Sequence, residues 1–125
     1  MLNRLFGAGS LSALETMLQF ASARQKAIAT NLANLDTVGY RTRDVSEADF
    51  RRVLARTFGG EPGQAEFRSA EAADAGIVKP NGNNVDLEIE MSKMVRNSAL
   101  HGTAATLLAH QFALLREAVA GHVIS

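Results

Sequence analysis

The sequence predicts an all-α fold in which two long terminal helices form a coiled-coil-like pair, joined by a short, irregular middle region with one small helix. Three observations carry this. Apolar residues recur at alternating spacings of three and four at both ends of the chain, the rhythm of a helical seam. Both prolines, Pro62 and Pro80, and a cluster of glycines fall instead in the middle. Aromatic residues make up only 6% of the 125 residues while Ala and Leu are abundant, a composition that suits close-packed helices better than a β-sandwich.

The first helix is expected from Ser12 to about Asn34, with Leu11, Leu14, Leu18, Ile28, Leu32 and Leu35 on a seam interrupted by Gln25. Ser12 followed three residues later by Glu15 has the form of a capping box, which satisfies orphaned N–H groups at a helix start. The stop lies in "NLANLDTVGYR", residues 31–41. Asn31 and Asn34 can hydrogen-bond backbone loosened at the helix end, Thr37 and Gly39 belong to the turn, and Tyr40 can anchor the connector against the helices. This stretch reads as a corner, not a catalytic site.

In the middle, Ser46 and Asp49 offer a second capping box, and Phe50, Val53, Leu54 and Phe58 trace one face of a short helix. Glu47 and Arg51 make an i,i+4 pair on its solvent side. Residues 61–84 read as a flexible connector with one weak helical turn around Ala70 to Ala75, and Asn81-Gly82-Asn83-Asn84 is a strong turn signal.

The last helix is expected from Asp86, which can cap it, with Glu88 and Glu90 in the first turn complementing the helix dipole. Its seam runs through Leu87, Met91, Met94, Val95, Leu108, Phe112, Leu115 and Val119, with Gly102 a weak point. The chain thus divides into 1–40, 41–84 and 85–125, together one domain. The second long helix outruns the first by about 18 Å at roughly 1.5 Å per residue, and the middle helix is too small to cover the remainder. The uncovered apolar stripe calls for partners.

Equal counts of Lys+Arg and Asp+Glu, 13 each, argue against a chain whose main partner is a nucleic-acid backbone or an anionic membrane. With no cysteine there is neither a thiolate nucleophile nor a disulfide framework. Arg4 and Ala21-Ser22-Ala23 imitate a secretory signal, but Ser12, Glu15, Thr16 and Gln19 break the apolar run that such a signal needs. No stretch approaches the roughly 20 apolar residues of a membrane span. His101 and His110 face opposite sides of one helix, with His122 about 120° from His110, so they do not converge on a metal. Gly59-Gly60-Glu61-Pro62-Gly63 lacks the Lys-Ser/Thr of a phosphate loop. No enzyme, metal or cofactor is expected.

Residues 29–40, "ATNLANLDTVGY", resemble the signature of the flagellar axial proteins, the rod and hook subunits of the bacterial flagellum, whose common form is Ala-Ser-Asn-Ile-Ala-Asn-x-x-Thr-Pro-Gly-Tyr. Asn31, Ala33, Asn34, Thr37, Gly39 and Tyr40 match position by position, and Val38 stands where Pro is usual. "RTRDV" with Phe50, and "GNNVDLEIEMSKMVRNSALHGTAATLLAHQFALLREAV" from residue 82, resemble the proximal rod class of this family.

The resemblance implies a structural subunit whose terminal helices pack on copies of itself and on other rod proteins to form a tubular drive shaft around an export channel. It further implies contacts with the basal-body membrane ring, its adaptor and the export gate. The expected location is the rod in the periplasmic space, reached through the flagellar type III apparatus without a cleaved signal. Another axial rod subunit, or a helical adaptor or export chaperone, is the alternative; the latter would be a small, monodisperse oligomer in solution.

Overall fold

The computed structural model describes residues 8–61 and 66–124. Arg4 of the signal-like start and Pro62-Gly63 of the glycine-rich stretch lie outside them. The chain is mostly helical, with a small sheet. In order come α1 (Ala8–Ala33), β1 (Arg43–Val45), α2 (Glu47–Phe58), β2 (Ser69–Glu71) and α3 (Leu87–Ile124).

Helices α1 and α3 run antiparallel along each other. Gln111 Nε2 donates to Ser10 Oγ at 2.9 Å, Asn97 Nδ2 to the Ala21 carbonyl at 2.8 Å, and Asn31 Nδ2 to Glu90 Oε2 at 3.0 Å. At 38 residues against 26, α3 is longer by about 18 Å at the standard rise. The helix continues unbroken through Gly102, because packing outweighs the roughly 1 kcal/mol that glycine costs a helix interior.

Ser12 does not cap α1, since helix already extends on its N-terminal side from Ala8. Its carbonyl instead accepts the Thr16 hydroxyl at 2.8 Å, an ordinary i−4 contact inside a helix. The Ser46 cap of α2 does form, with its hydroxyl accepting the Asp49 N–H at 3.2 Å. Asp86 likewise accepts the Ile89 N–H at 3.1 Å where α3 begins. Phe50, Val53 and Leu54 are half-buried, but Phe58, at the end of α2, is exposed because α2 stops before any element covers it.

The connector is the main correction to the sequence reading. Ser69–Glu71 is a strand and not a helical turn: it pairs antiparallel with β1, Arg43 opposite Glu71 and Val45 opposite Ser69. Arg43 reinforces the pairing by donating to the Ser69 hydroxyl and carbonyl at 3.2 and 2.7 Å. Phe67 anchors the segment. Its ring meets Phe20 edge-on at 5.5 Å, while Phe20 stacks on Phe50 at 4.3 Å, so α1, α2 and the connector share one aromatic cluster. Strand propensity in "RSAEA" is weak, and the pairing arises from this tertiary anchor.

Candidate functional site

The corner after α1 is built on Asn31, which is fully buried. Its Oδ1 accepts the Tyr40 hydroxyl at 2.7 Å and the Arg43 N–H at 3.0 Å; its Nδ2 donates to the Arg43 carbonyl at 2.7 Å and to Glu90 at 3.0 Å. A side-chain amide has two donor hydrogens and two acceptor lone pairs, and all four are used. One residue of α1 therefore ties together the turn, β1 and α3. Asn34 Nδ2 donates to the Thr30 carbonyl, and its Oδ1 accepts the Thr37 hydroxyl at 3.0 Å. Gly39 adopts φ +73°, the left-handed region that glycine enters without steric cost.

A second asparagine pair clamps the corner from the opposite side. Asn83 donates to the Asn34 and Thr37 carbonyls, both at 2.8 Å, and Asn84 Oδ1 accepts the Thr42 N–H at 2.6 Å. Gly82 lies so close that a Cβ there would meet the Gly39 Cα at 3.3 Å. The two glycine turns thus pack back to back.

Beside the corner, charges are partly buried and paired. Arg24 grips Asp44 with two bonds of 3.1 Å and reaches Glu47 at 3.1 Å. Lys93 Nζ bridges Asp44 at 3.1 Å and Asp74 at 2.9 Å. Burial works to raise the Asp44 carboxyl, but hydrogen bonds from Arg24, the Val45 N–H and Lys93 outweigh it and hold the group below its ordinary value. Glu90 goes the other way. Burial pushes its carboxyl up, the Asn31 bond and the Lys93 charge offset this only in part, and Oε1 has no hydrogen-bond partner among the described residues. Burial also raises the Tyr40 hydroxyl, keeping it a donor to Asn31.

The seam residues separate by exposure. Leu14 and Ile28 are buried, while Leu11, Leu18, Leu32, Leu35, Met94, Leu108 and Leu115 are half-buried. Leu87, Met91, Val95, Phe112 and Val119 are 46–68% exposed. Toward α1, β1 and the connector α3 turns the buried Glu90, Lys93 and Asn97, and the half-buried Leu108 and Leu115 of the apolar stripe share the helical angle of Glu90 and Asn97. The opposite flank of α1 is covered by α2 and the connector. The flank carrying Ser22, Gln25 and Ala29 is open, and with Asn97, Ser98 and Gly102 it lines a groove of about 560 Å³.

His101 and His110 are exposed on α3. No group of three or more His, Asp or Glu that could hold a metal occurs among the described residues, and no described helix is long and apolar enough to cross a membrane.

The roles of Asn83, Asn84, Glu90 and Lys93 escape a reading by pattern. The asparagines carry a turn signal that is correct but silent about their buried partners 40 to 50 residues away. Glu90 and Lys93 look like solvent-side charges, because a polar residue at a seam position is indistinguishable from one on the surface until its partner is known. The available signal was their spacing: 90, 93 and 97 keep the three-four rhythm on their own face.

A family model described as flagella basal body rod protein matches residues 11–41, which is α1 from Leu11 together with the corner. The chain is 32% identical over 130 residues to the flagellar basal body rod protein FlgB of Salmonella typhimurium, an alignment covering 89% of this chain and 91% of that protein. It is 29% identical over 133 residues to FlgB of Yersinia enterocolitica, covering 89% and 92%. With FlgB of Bacillus subtilis it shares 28% over 126 residues, covering 91% and 95%. The similarity extends well beyond the corner, through the connector and α3, to a length shared almost end to end. The chain belongs to the FlgB family of flagellar basal body rod proteins.

Proposed function

We propose that this structural rod subunit works by packing the open flank of its α1–α3 pair against neighbouring copies and other rod proteins. The two terminal helices act as one coiled-coil-like unit, and the assembled units surround an export channel and transmit torque. The observation that carries this is the row Leu87, Met91 and Val95, continued by Phe112 and Val119, standing 46–68% exposed. Apolar side chains repeated along one helix at this exposure mark an interaction surface.

The corner sets where the connector leaves the helical pair, so Asn31, Asn34, Thr37, Gly39 and Tyr40 fix its direction relative to the packing faces. The further partners are the basal-body membrane ring, its adaptor and the export gate. The location is the rod in the periplasmic space, reached through the type III apparatus without a cleaved signal. Cryo-electron microscopy of isolated basal bodies tests the reading: density for α1 and α3 lining the proximal rod is expected, and a rod without this chain would contradict it.

A further inference from the structure

We propose that the groove on the open flank of the α1–α3 pair receives the first turns of α3 from a second copy, with Leu87, Met91 and Val95 as the inserted side chains. The inference rests on the reading of the chain as a polymerising rod subunit and names the contact that reading leaves open.

Ala21, Ala29 and Gly102 leave space in the groove, beside the longer Gln25, Lys26 and His101. A Cβ at Gly102 would meet nothing within 4 Å, so the space above it is free. Small residues let a third helix approach closely, because interaxial distance follows the side chains at the contact. Asn97, 4% exposed, lies at the floor. Its Nδ2 is satisfied by the Ala21 carbonyl and Gln25 Oε1, while its Oδ1 has no donor among the described residues. The Oδ1 atom is itself buried, so the floor presents a closed surface to an incoming side chain.

The same chain carries the complementary shape. Leu87, Met91 and Val95 recur every fourth residue and stand 49%, 46% and 68% exposed. The knobs and the slot occupy successive stretches of one face of α3, Met91 and Ser98 being two turns apart, so seating one copy's knobs in the next copy's slot, with the copies displaced along the helix, leaves a knob set and a slot free at the two ends. Such heterologous contacts propagate. Charge agrees with the choice of occupant. Glu88, three residues before Met91, borders the knobs on the side that also carries Lys93 and Arg96, Lys26 flanks the slot, and neither Glu88 nor Lys26 has an ion-pair partner among the described residues. Docking brings the two together with opposite sign, which favours this partner and this register.

The chain has no cysteine, so introduced thiols report alone. Met91→Cys and Ser98→Cys in one chain lie about 10 Å apart along α3, too far to bridge within the chain. In mildly oxidised basal bodies from cells carrying M91C/S98C, a covalent ladder of this chain is expected, absent from either single variant. K26E should weaken the ladder and swimming several-fold, and K26E combined with E88K should restore both. Basal bodies that contain the chain but yield no ladder would overturn the contact while leaving the rod reading intact. Cross-linking of S98C alone, or a ladder that stops at the dimer, would indicate a two-fold contact and overturn it too. Absence of the unmodified chain from basal bodies would overturn the rod reading itself.

Discussion

The two flanks of α1 make opposite use of one helix. On the closed flank Phe20, Arg24 and Asn31 are held by α2, the connector and the start of α3, through stacking, a two-bonded ion pair and a fully satisfied amide. On the open flank Ser22, Gln25 and Ala29 face a groove, and α3 beside them presents Leu87, Met91 and Val95 outward. A buried polar group must be paired within the chain, so the closed flank specifies one geometry for the subunit. An exposed apolar row adds little to the lone subunit and gains its value only when covered. The closed flank of α1 thus serves folding, and the proposed assembly contact uses its open flank together with the exposed row of α3.

The largest effect should come from breaking the closed flank. Asn31→Ala leaves the Arg43 backbone, the Tyr40 hydroxyl and Glu90 without their shared partner, and a cost of roughly 3–5 kcal/mol is expected, at about 1–3 kcal/mol per buried group left unpaired. Urea denaturation of the purified chain measures it; a loss under about 1 kcal/mol would mean that the corner is not held as described. Gly39→Val comes next. A Cβ there meets nothing within 4 Å, so the penalty is backbone strain alone, about 2 kcal/mol for a residue forced to positive φ, together with reduced motility.

A smaller, pH-dependent effect sharpens the comparison. Because burial raises the folded-state value of Glu90, its protonated form favours the folded chain; that contribution is full below the ordinary 4.5 and is lost as pH rises through the raised value. Asp44 has the opposite sign: its contribution is present above 3.8 and disappears as pH falls through its lowered value. Glu90→Gln should therefore flatten the fall in stability above pH 4.5 and leave the acid limb unchanged. An unaltered slope above that pH would show that Glu90 is not buried as an acid.

Much of this was legible in the residues. The helical ends, the Ser46 and Asp86 caps and the turn at Gly82 follow from local spacing and backbone chemistry, which act over a few residues. The connector was not legible, since Phe67 has no local reason to leave solvent and gains one only from Phe20 and Phe50. The face of α3 was missed for a related reason: Glu90, Lys93 and Asn97 are polar, and only Asn31, Asp44 and Ala21, far away in the chain, make a polar face the buried one. Apolar periodicity marks a stripe on α3 of which Leu87, Met91 and Val95 are exposed and Met94, Leu108 and Leu115 half-buried, while the most buried positions are Glu90, Lys93, Asn97 and Ala104.

The most direct test of the division between flanks is the double substitution Met91→Ser with Val95→Ser, measured by urea denaturation of the purified chain and by recovery of the chain in isolated basal bodies. Both positions are exposed in the subunit, so stability should change by less than about 0.5 kcal/mol while incorporation into the rod is lost. Normal incorporation with unchanged stability, or a stability loss as large as that of Asn31→Ala, would contradict the account.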